Sequence, residues 1–172
     1  MPAPAETSLI DVVDDRDTPV ATIERGEVLN RGANFRTAHI FLLDGANNLL
    51  LQRIGARRSR HPRRWGSSVA AYLHAGETYE EAAVRRLREE LGLELSLRFV
   101  GKIDMRDKAS LKFVSLFVGQ GGAPAIREHG HIDELEYWTA EEIDRTLDHS
   151  PISFTPTFQN LYLAFGHRLS SR

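Results

Sequence analysis

Two adjacent carboxylates, Glu89 and Glu90, are the side chains of this sequence best suited to chemistry. They repel each other unless a cation lies near them, and oxygen ligands of this kind suit Mg²⁺ or Mn²⁺. They fall in the last turn of a predicted helix that begins at Thr78, because Thr78 and Glu81 have the spacing of a capping box. Gly92 is well placed to end that helix. The sequence therefore predicts a divalent metal site at the C-terminal end of a helix.

The spacing around these glutamates resembles the Nudix box, G-x5-E-x7-R-E-U-x-E-E-x-G-U, in which U is aliphatic. Seven of its nine fixed positions match in register, namely Glu77, Arg85, Leu87, Glu89, Glu90, Gly92 and Leu93. The resemblance implies a family that cleaves a nucleoside diphosphate linked to another group, with the metal held by box glutamates. It makes Glu89 and Glu90 the catalytic metal ligands, and gives Glu77, Arg85 and Gly92 structural roles.

Two positions depart from that pattern. Ala71 stands in place of the first glycine, whose backbone carbonyl faces the metal, so we expect the Ala71 carbonyl as a further ligand in a reshaped loop. Arg86 stands where the family has the glutamate that directly follows the arginine. It precedes Glu89 by three residues and Glu90 by four, a spacing that places all three on one helical face. Its guanidinium is therefore positioned to pair with both carboxylates where a metal ion would otherwise lie.

An arginine-rich segment precedes the box and surrounds His61. It contains Arg53, Arg57, Arg58, Arg60, Arg63 and Arg64. Guanidinium groups bind phosphate oxygens in bidentate fashion, so this segment is a candidate clamp for a diphosphate. The candidate phosphate ligands are Arg53, Arg57, Arg58, Arg63 and Arg64. The alternative is a solvated loop whose arginines pair with surface acids.

Other acids and histidines offer weaker candidates. Glu80 and Glu81 belong to the solvated first turn of the helix, where acids favour the dipole, with a replacement metal ligand as the alternative. Residues 127–134 carry several groups able to act as base or ligand, and the Nudix family can draw a catalytic glutamate from such a late loop. The sequence favours an ordinary polar loop there. His129 and His131 alone do not make a zinc site.

The hydrophobic pattern and the turn residues predict the elements that position these groups. Strands are expected at residues 9–13, 20–24, 37–43, 49–54, 67–73, 97–104, 112–118 and 135–138. A short helix follows Thr139, and Thr155 caps a final helix with Pro156 at its first position. This order suits an α/β chain with the Nudix fold, an α/β/α sandwich with a mixed β-sheet.

Composition narrows the class of protein. The 172 residues suffice for one compact Nudix domain over 1–172, with an N-terminal hairpin at about 8–25, the box at 71–93 and a C-terminal helix at about 156–168. A net charge of −2 argues against nucleic acid as a partner. We expect no secretory signal, because the first residues lack a basic region followed by an apolar one. We also expect no transmembrane helix, because the apolar runs are too short to cross a membrane. The absence of cysteine excludes thiolate chemistry and favours a cytoplasmic protein.

The chain is also similar to the Nudix subgroup of isopentenyl-diphosphate isomerase, in its opening IDVVDDRDTPVAT and in its ending FTPTFQNLYLAF. Those isomerases use a cysteine after the tryptophan, where this chain has Trp65-Gly66-Ser67-Ser68. Three functions therefore remain: metal-dependent hydrolysis of a small-molecule nucleoside diphosphate derivative, binding of a nucleotide or partner protein without turnover, and prenyl diphosphate isomerisation. The leaving group and the base stay open. Homodimerisation is compatible with the fold, although no sequence feature specifies it.

Overall fold

The computed structural model describes residues 5–169. It begins with an antiparallel hairpin of strands β1 (Leu9–Val13) and β2 (Pro19–Glu24). The Asp14 carboxylate accepts hydrogen bonds from the backbone N–H groups of Arg16 and Thr18 at 2.8 and 2.9 Å, which closes the turn. The predicted hairpin is confirmed.

The main sheet is mixed, as the sequence predicted. Its strands are β3 (Phe35–Leu43), β4 (Leu49–Ile54), β5 (Trp65–Gly66), β6 (Val69–Tyr72), β7 (Arg98–Asp107), β8 (Ser110–Gln120) and β9 (Ile132–Trp138). The central path runs β5-β4-β3-β8-β7, with β6 paired to β3 and β9 paired to β4. Only β3 and β8 pair in parallel within the described residues, and the other pairs are antiparallel.

Of the strand predicted over residues 67–73, the structure has β6 at Val69–Tyr72, which pairs with β3. The two residues of β5 precede the predicted strand and pair with β4. Between β5 and β6, the Ser68 hydroxyl accepts the N–H of Leu42 at 2.8 Å and donates to the carbonyl of Leu50. This side chain thus joins β3 and β4 where the two strands meet, a contact that spacing in the sequence does not predict.

Three helices complete the fold: α1 (Tyr79–Leu91), α2 (Ala140–His149) and α3 (Pro156–Phe165). The predicted capping box of α1 is present, because Thr78 and Glu81 exchange two hydrogen bonds of 3.1 Å. Gly92 ends α1 with φ of 68°, in the left-handed conformation that favours glycine. The caps at Thr139 and Thr155 are confirmed as well.

The helices cover both faces of the sheet. Alternate residues of β3 point to opposite sides, so Ala38, Ile40 and Leu42 pack against α1. Phe41 and Leu43 pack on the other side against α3. This arrangement confirms the α/β/α sandwich. No helix in residues 5–169 is long and apolar enough to cross a membrane.

Candidate phosphate and metal site

The loop that enters α1 is fixed by a two-pronged ion pair. The Arg85 guanidinium donates to both carboxylate oxygens of Glu77, at 2.8 and 2.9 Å, and to the carbonyl of Tyr72 at 2.9 Å. Glu77 also accepts the N–H of His74 at 2.7 Å. Burial alone would raise the pKa of Glu77, but these hydrogen bonds hold it below its ordinary value. The pair binds the end of β6 to α1, which positions the carboxylates at the far end of that helix.

Arg86 lies at the centre of those carboxylates. Its guanidinium donates to Glu89 at 2.7 Å and to Glu90 at 2.5 Å. It also forms a fork with both oxygens of Glu128, at 2.8 and 3.0 Å. Burial by itself would lower the pKa of Arg86, but its three acidic partners raise it above its ordinary value. One cation therefore joins two box acids to an acid from the late loop.

Glu90 is the most buried of the three acids, with 5% of its surface exposed. Burial raises its pKa, while the Arg86 charge and hydrogen bonds from Arg86 and Gln52 work in the opposite direction. The Gln52 amide donates to Glu90 at 3.1 Å and to the carbonyl of Ser68 at 3.0 Å. A buried carboxylate is tolerated only when its oxygens are paired, and here one oxygen faces Arg86 and the other faces Gln52.

Glu128 reaches the box because the late loop is pinned to the end of α1. The backbone N–H groups of Ala125 and Arg127 donate to the carbonyls of Leu91 and Glu90, at 3.2 and 2.8 Å. Carbonyls in the last turn of a helix have no partner within the helix, so they accept such bonds from neighbouring segments. The sequence favoured an ordinary polar loop here, and that prediction was wrong for Glu128.

The predicted metal ligands are close together, but the cation between them belongs to the protein. Ala71 lies in β6 opposite Ala38, where it is buried and has a backbone without positive φ. No group of three or more His, Cys, Asp or Glu suited to a metal ion occurs in the described part of the chain. With the Arg86 guanidinium donating to Glu89 and Glu90, the residues present do not fit a resident divalent cation.

The arginine-rich segment does not act as one clamp. Arg53 pairs with Glu134 at 3.2 Å and lies over the Trp65 ring. Arg58 contacts the Nε2 atom of His131 at 3.3 Å, on the box side of the molecule. The side chains of Arg57, Arg63 and Arg64 form no ion pair with any described residue, and Arg57 and Arg63 are exposed. Arg60 turns away to a separate cluster.

A positive cluster forms beside the box from three distant parts of the chain. Arg25, in a short turn after β2, covers the Tyr72 ring with its guanidinium carbon 4.0 Å from the ring centre. Burial lowers the pKa of Arg25, and the neighbouring charges of Arg86 and Arg58 lower it further. Burial and the Arg58 charge likewise lower the pKa of His131. We call Arg25, Arg58 and Arg86 the arginine cluster. Sequence reasoning missed Arg25, because no motif surrounds it.

Comparison with known proteins identifies the family. A family model described as the NUDIX domain matches residues 33–158, which is more than half of the chain. The chain belongs to the Nudix family. An uncharacterised Nudix hydrolase of Pseudomonas aeruginosa is 29% identical over 155 residues, covering 88% of this chain and 92% of that protein.

Other relatives and structures agree with this Nudix assignment. Isopentenyl-diphosphate Delta-isomerase 2 of Photorhabdus laumondii is 24% identical over 155 residues, covering 87% of this chain and 88% of the relative. A crystal structure of a Deinococcus radiodurans protein superposes with a TM-score of 0.71 at 26% identity, over 83% of this chain and 90% of that one. The Nudix domain of Shewanella oneidensis NrtR, complexed with ADP ribose, superposes with a TM-score of 0.62 at 14% identity, over 86% of this chain and 100% of that one. At this identity the likeness supports the fold alone.

Proposed function

We propose that this Nudix protein binds a small molecule through its diphosphate group at the arginine cluster, and that Arg86 takes the place of the divalent cation. Binding then needs no added metal, and metal-dependent hydrolysis does not follow it. The observation that supports this most directly is the set of four hydrogen bonds from Arg86 to three carboxylates.

Electrostatics at the box favours the internal cation. A metal ion that bound Glu89 and Glu90 would have to displace a guanidinium that already forms an ion pair with each of them. The displaced Arg86 would lose its partners while 17% of its side chain is exposed, and stranding a largely buried charge is costly. The arginine also removes the acid that the family has at this position, so the site is both less negative and already occupied by a positive charge.

The same charges favour a phosphate ligand. Arg58 and Arg86 lie close enough to Arg25 for their charges to lower its pKa, which is the sign of repulsion between like charges. An anion between them would relieve that repulsion, and guanidinium groups present the planar donors that phosphate oxygens accept. His131 adds an imidazole beside Arg58. The ADP ribose bound by the Nudix domain of NrtR is a diphosphate of this chemical class.

Metal-dependent hydrolysis is the second candidate, and one observation favours it. Glu89, Glu90 and Glu128 all pair with the Arg86 guanidinium, and carboxylate oxygens are the ligands that Mg²⁺ and Mn²⁺ prefer. If Arg86 swings out, those acids and the Ala71 carbonyl are the groups left to hold a cation. Isomerisation has no comparable support, because the chain contains no cysteine.

Binding and turnover measured on one preparation separate these candidates. We would titrate ADP-ribose and pyrophosphate into the protein in EDTA and again in Mg²⁺, and follow phosphate release from a nucleoside diphosphate panel. We expect equal affinity in both buffers, no turnover, and about tenfold weaker binding by Arg58→Gln because a charge-assisted bond is lost. Arg88→Gln is the matched control, since Arg88 is exposed on α1 and pairs with Glu94. Turnover only in Mg²⁺ would establish the second candidate instead.

A further inference from the structure

A cavity of about 500 Å³ lies on the α3 side of the sheet, away from the box. Its walls come from the arginine-rich segment (residues 59–61), the end of β7 with the residue that follows it (residues 105–108), Lys112 of β8, and the first turn of α3 (Pro156 and Thr157). This volume is in the range of small-molecule binding sites.

The cavity wall carries an excess of positive charge. Four cationic residues line the cavity, namely Arg60, Arg106, Lys108 and Lys112, together with one acid, Asp107. Asp107 accepts two hydrogen bonds from Arg60, at 3.1 and 2.5 Å, and one from Lys112 at 3.1 Å. These bonds hold the pKa of Asp107 below its ordinary value, although burial alone would raise it. Arg106 and Lys108 form no ion pair within residues 5–169, so their charges are left for a ligand.

Hydrogen-bond donors at the base of the cavity are also available. Lys112 is only 7% exposed, and its ammonium donates to the Thr157 hydroxyl at 2.7 Å. Because that oxygen already accepts a bond, its own hydrogen is free to point at a ligand. His61 also lines the cavity, and burial, together with the charges of Arg60 and Arg64, lowers its pKa. The positive end of the α3 dipole adds to the attraction for an anion.

We infer that this cavity binds the phosphate group of a small molecule, at a second anion site distinct from the arginine cluster. The ammonium and guanidinium groups that line the cavity are hydrogen-bond donors suited to phosphate oxygens. Met105 and Pro156 provide an apolar wall for the organic part of the ligand. The two sites differ in their acidic partners, which are Asp107 in the cavity and Glu90 and Glu128 at Arg86. Tyr72 lies between the two sites, close to Arg25 and to Arg60. Lys112 is in register with Phe35 and reaches α3, whereas the box helix packs on Ala38 and its alternate neighbours.

Inorganic phosphate is the probe for this site, titrated at constant ionic strength against chloride. Nuclear magnetic resonance signals of Thr157 and Met105 report on the cavity, and those of Glu128 and His131 report on the arginine cluster. We expect saturable shifts at the cavity signals. Arg106→Gln combined with Lys108→Asn should weaken that response by about five- to tenfold, because two charges next to the anion are removed. Asparagine tolerates the positive φ of 54° at Lys108.

Two further variants make the test independent of folding and of the box. Thr157→Val keeps the shape but removes the hydroxyl, both as a donor to the ligand and as the acceptor of the Lys112 ammonium, so it should weaken phosphate binding about three- to tenfold. Arg98→Gln, an exposed change at the far end of β7, should leave the affinity unchanged. Absence of saturation at the cavity signals by roughly 10 mM phosphate, or equal weakening by Arg98→Gln, would overturn the inference. Absence of a response at Glu128 and His131 alone would instead count against the proposed function and leave the cavity site standing.

Discussion

Replacing Arg86 by methionine should destabilise the protein substantially. Methionine keeps much of the length of the side chain, but Glu90 loses the charge that pairs with it while only 6% of its side chain is exposed. Removing one partner of a buried ion pair costs about 3–5 kcal/mol. We expect about 3 kcal/mol, the lower end, because Gln52 still donates to Glu90. For a chain of this size the midpoint of thermal unfolding should fall by about 6–12 °C.

The pH dependence of this loss has a definite sign. Burial raises the pKa of Glu90, and without Arg86 the main opposing charge is gone. A raised pKa in the folded state means that the folded protein binds the proton more tightly than the unfolded chain does. The stability that Glu90 contributes in this way is fully present at pH values below its ordinary pKa of 4.5, and it is lost as the pH rises through the pKa of the folded state. The deficit of Arg86→Met relative to the natural protein should therefore be smaller near pH 5 than near pH 8.

Urea unfolding at both pH values, with a second variant, checks this reasoning. Arg86→Met combined with Glu90→Gln removes the stranded charge and should recover about 2 kcal/mol of the free energy of unfolding. Arg88→Met, on an exposed position of the same helix, controls for the loss of an arginine as such. A loss below about 0.5 kcal/mol for Arg86→Met, or no recovery in the double variant, would refute the buried ion pair as described.

Three further perturbations test how the site is positioned. Glu77→Gln should lower the free energy of unfolding by about 2 kcal/mol, because it breaks the fork with Arg85. Since the folded state lowers the pKa of Glu77, the difference in stability from the natural protein should shrink as the pH falls below 4.5. Urea titrations that show no such trend would contradict this. Thr78→Ala should cost about 1 kcal/mol in thermal unfolding by removing the cap of α1, whereas an unchanged midpoint would count against it. Gly55→Ala places a Cβ 2.3 Å from the carbonyl oxygen of Gly130, so it should displace the late loop and weaken ADP-ribose binding, and an unchanged affinity would contradict that.

Local features of the fold were predictable because neighbouring residues determine them. The capping boxes at Thr78 and Thr139, the left-handed Gly92 and the Asp14 turn all follow from side chains within four residues of each other. The pairing of Arg86 with Glu89 and Glu90 follows from helical spacing in the same way. Site roles proposed for these residues remain predictions.

Contacts made across the sheet were not predictable from spacing. Glu128 reaches Arg86 across 42 positions of sequence, because the late loop satisfies free carbonyls at the end of α1. Arg60 and Asp107 are 47 positions apart and meet only because the arginine-rich segment folds past the end of β7. Arg58 and Arg60 lie close in sequence yet serve different sites. The sequence shows that arginines are concentrated in this segment, but which of them lie together depends on how the chain folds.

Mn²⁺ binding, measured by electron paramagnetic resonance on the natural protein and on Arg86→Glu, tests the central claim most directly. If Arg86 is the cation of the box, the natural protein should not bind Mn²⁺ below about 1 mM, and Arg86→Glu should bind it at least tenfold more tightly. Arg88→Glu, which adds an acid to an exposed position of α1, should behave as the natural protein. Tight Mn²⁺ binding by the natural protein, with no gain in Arg86→Glu, would contradict the account.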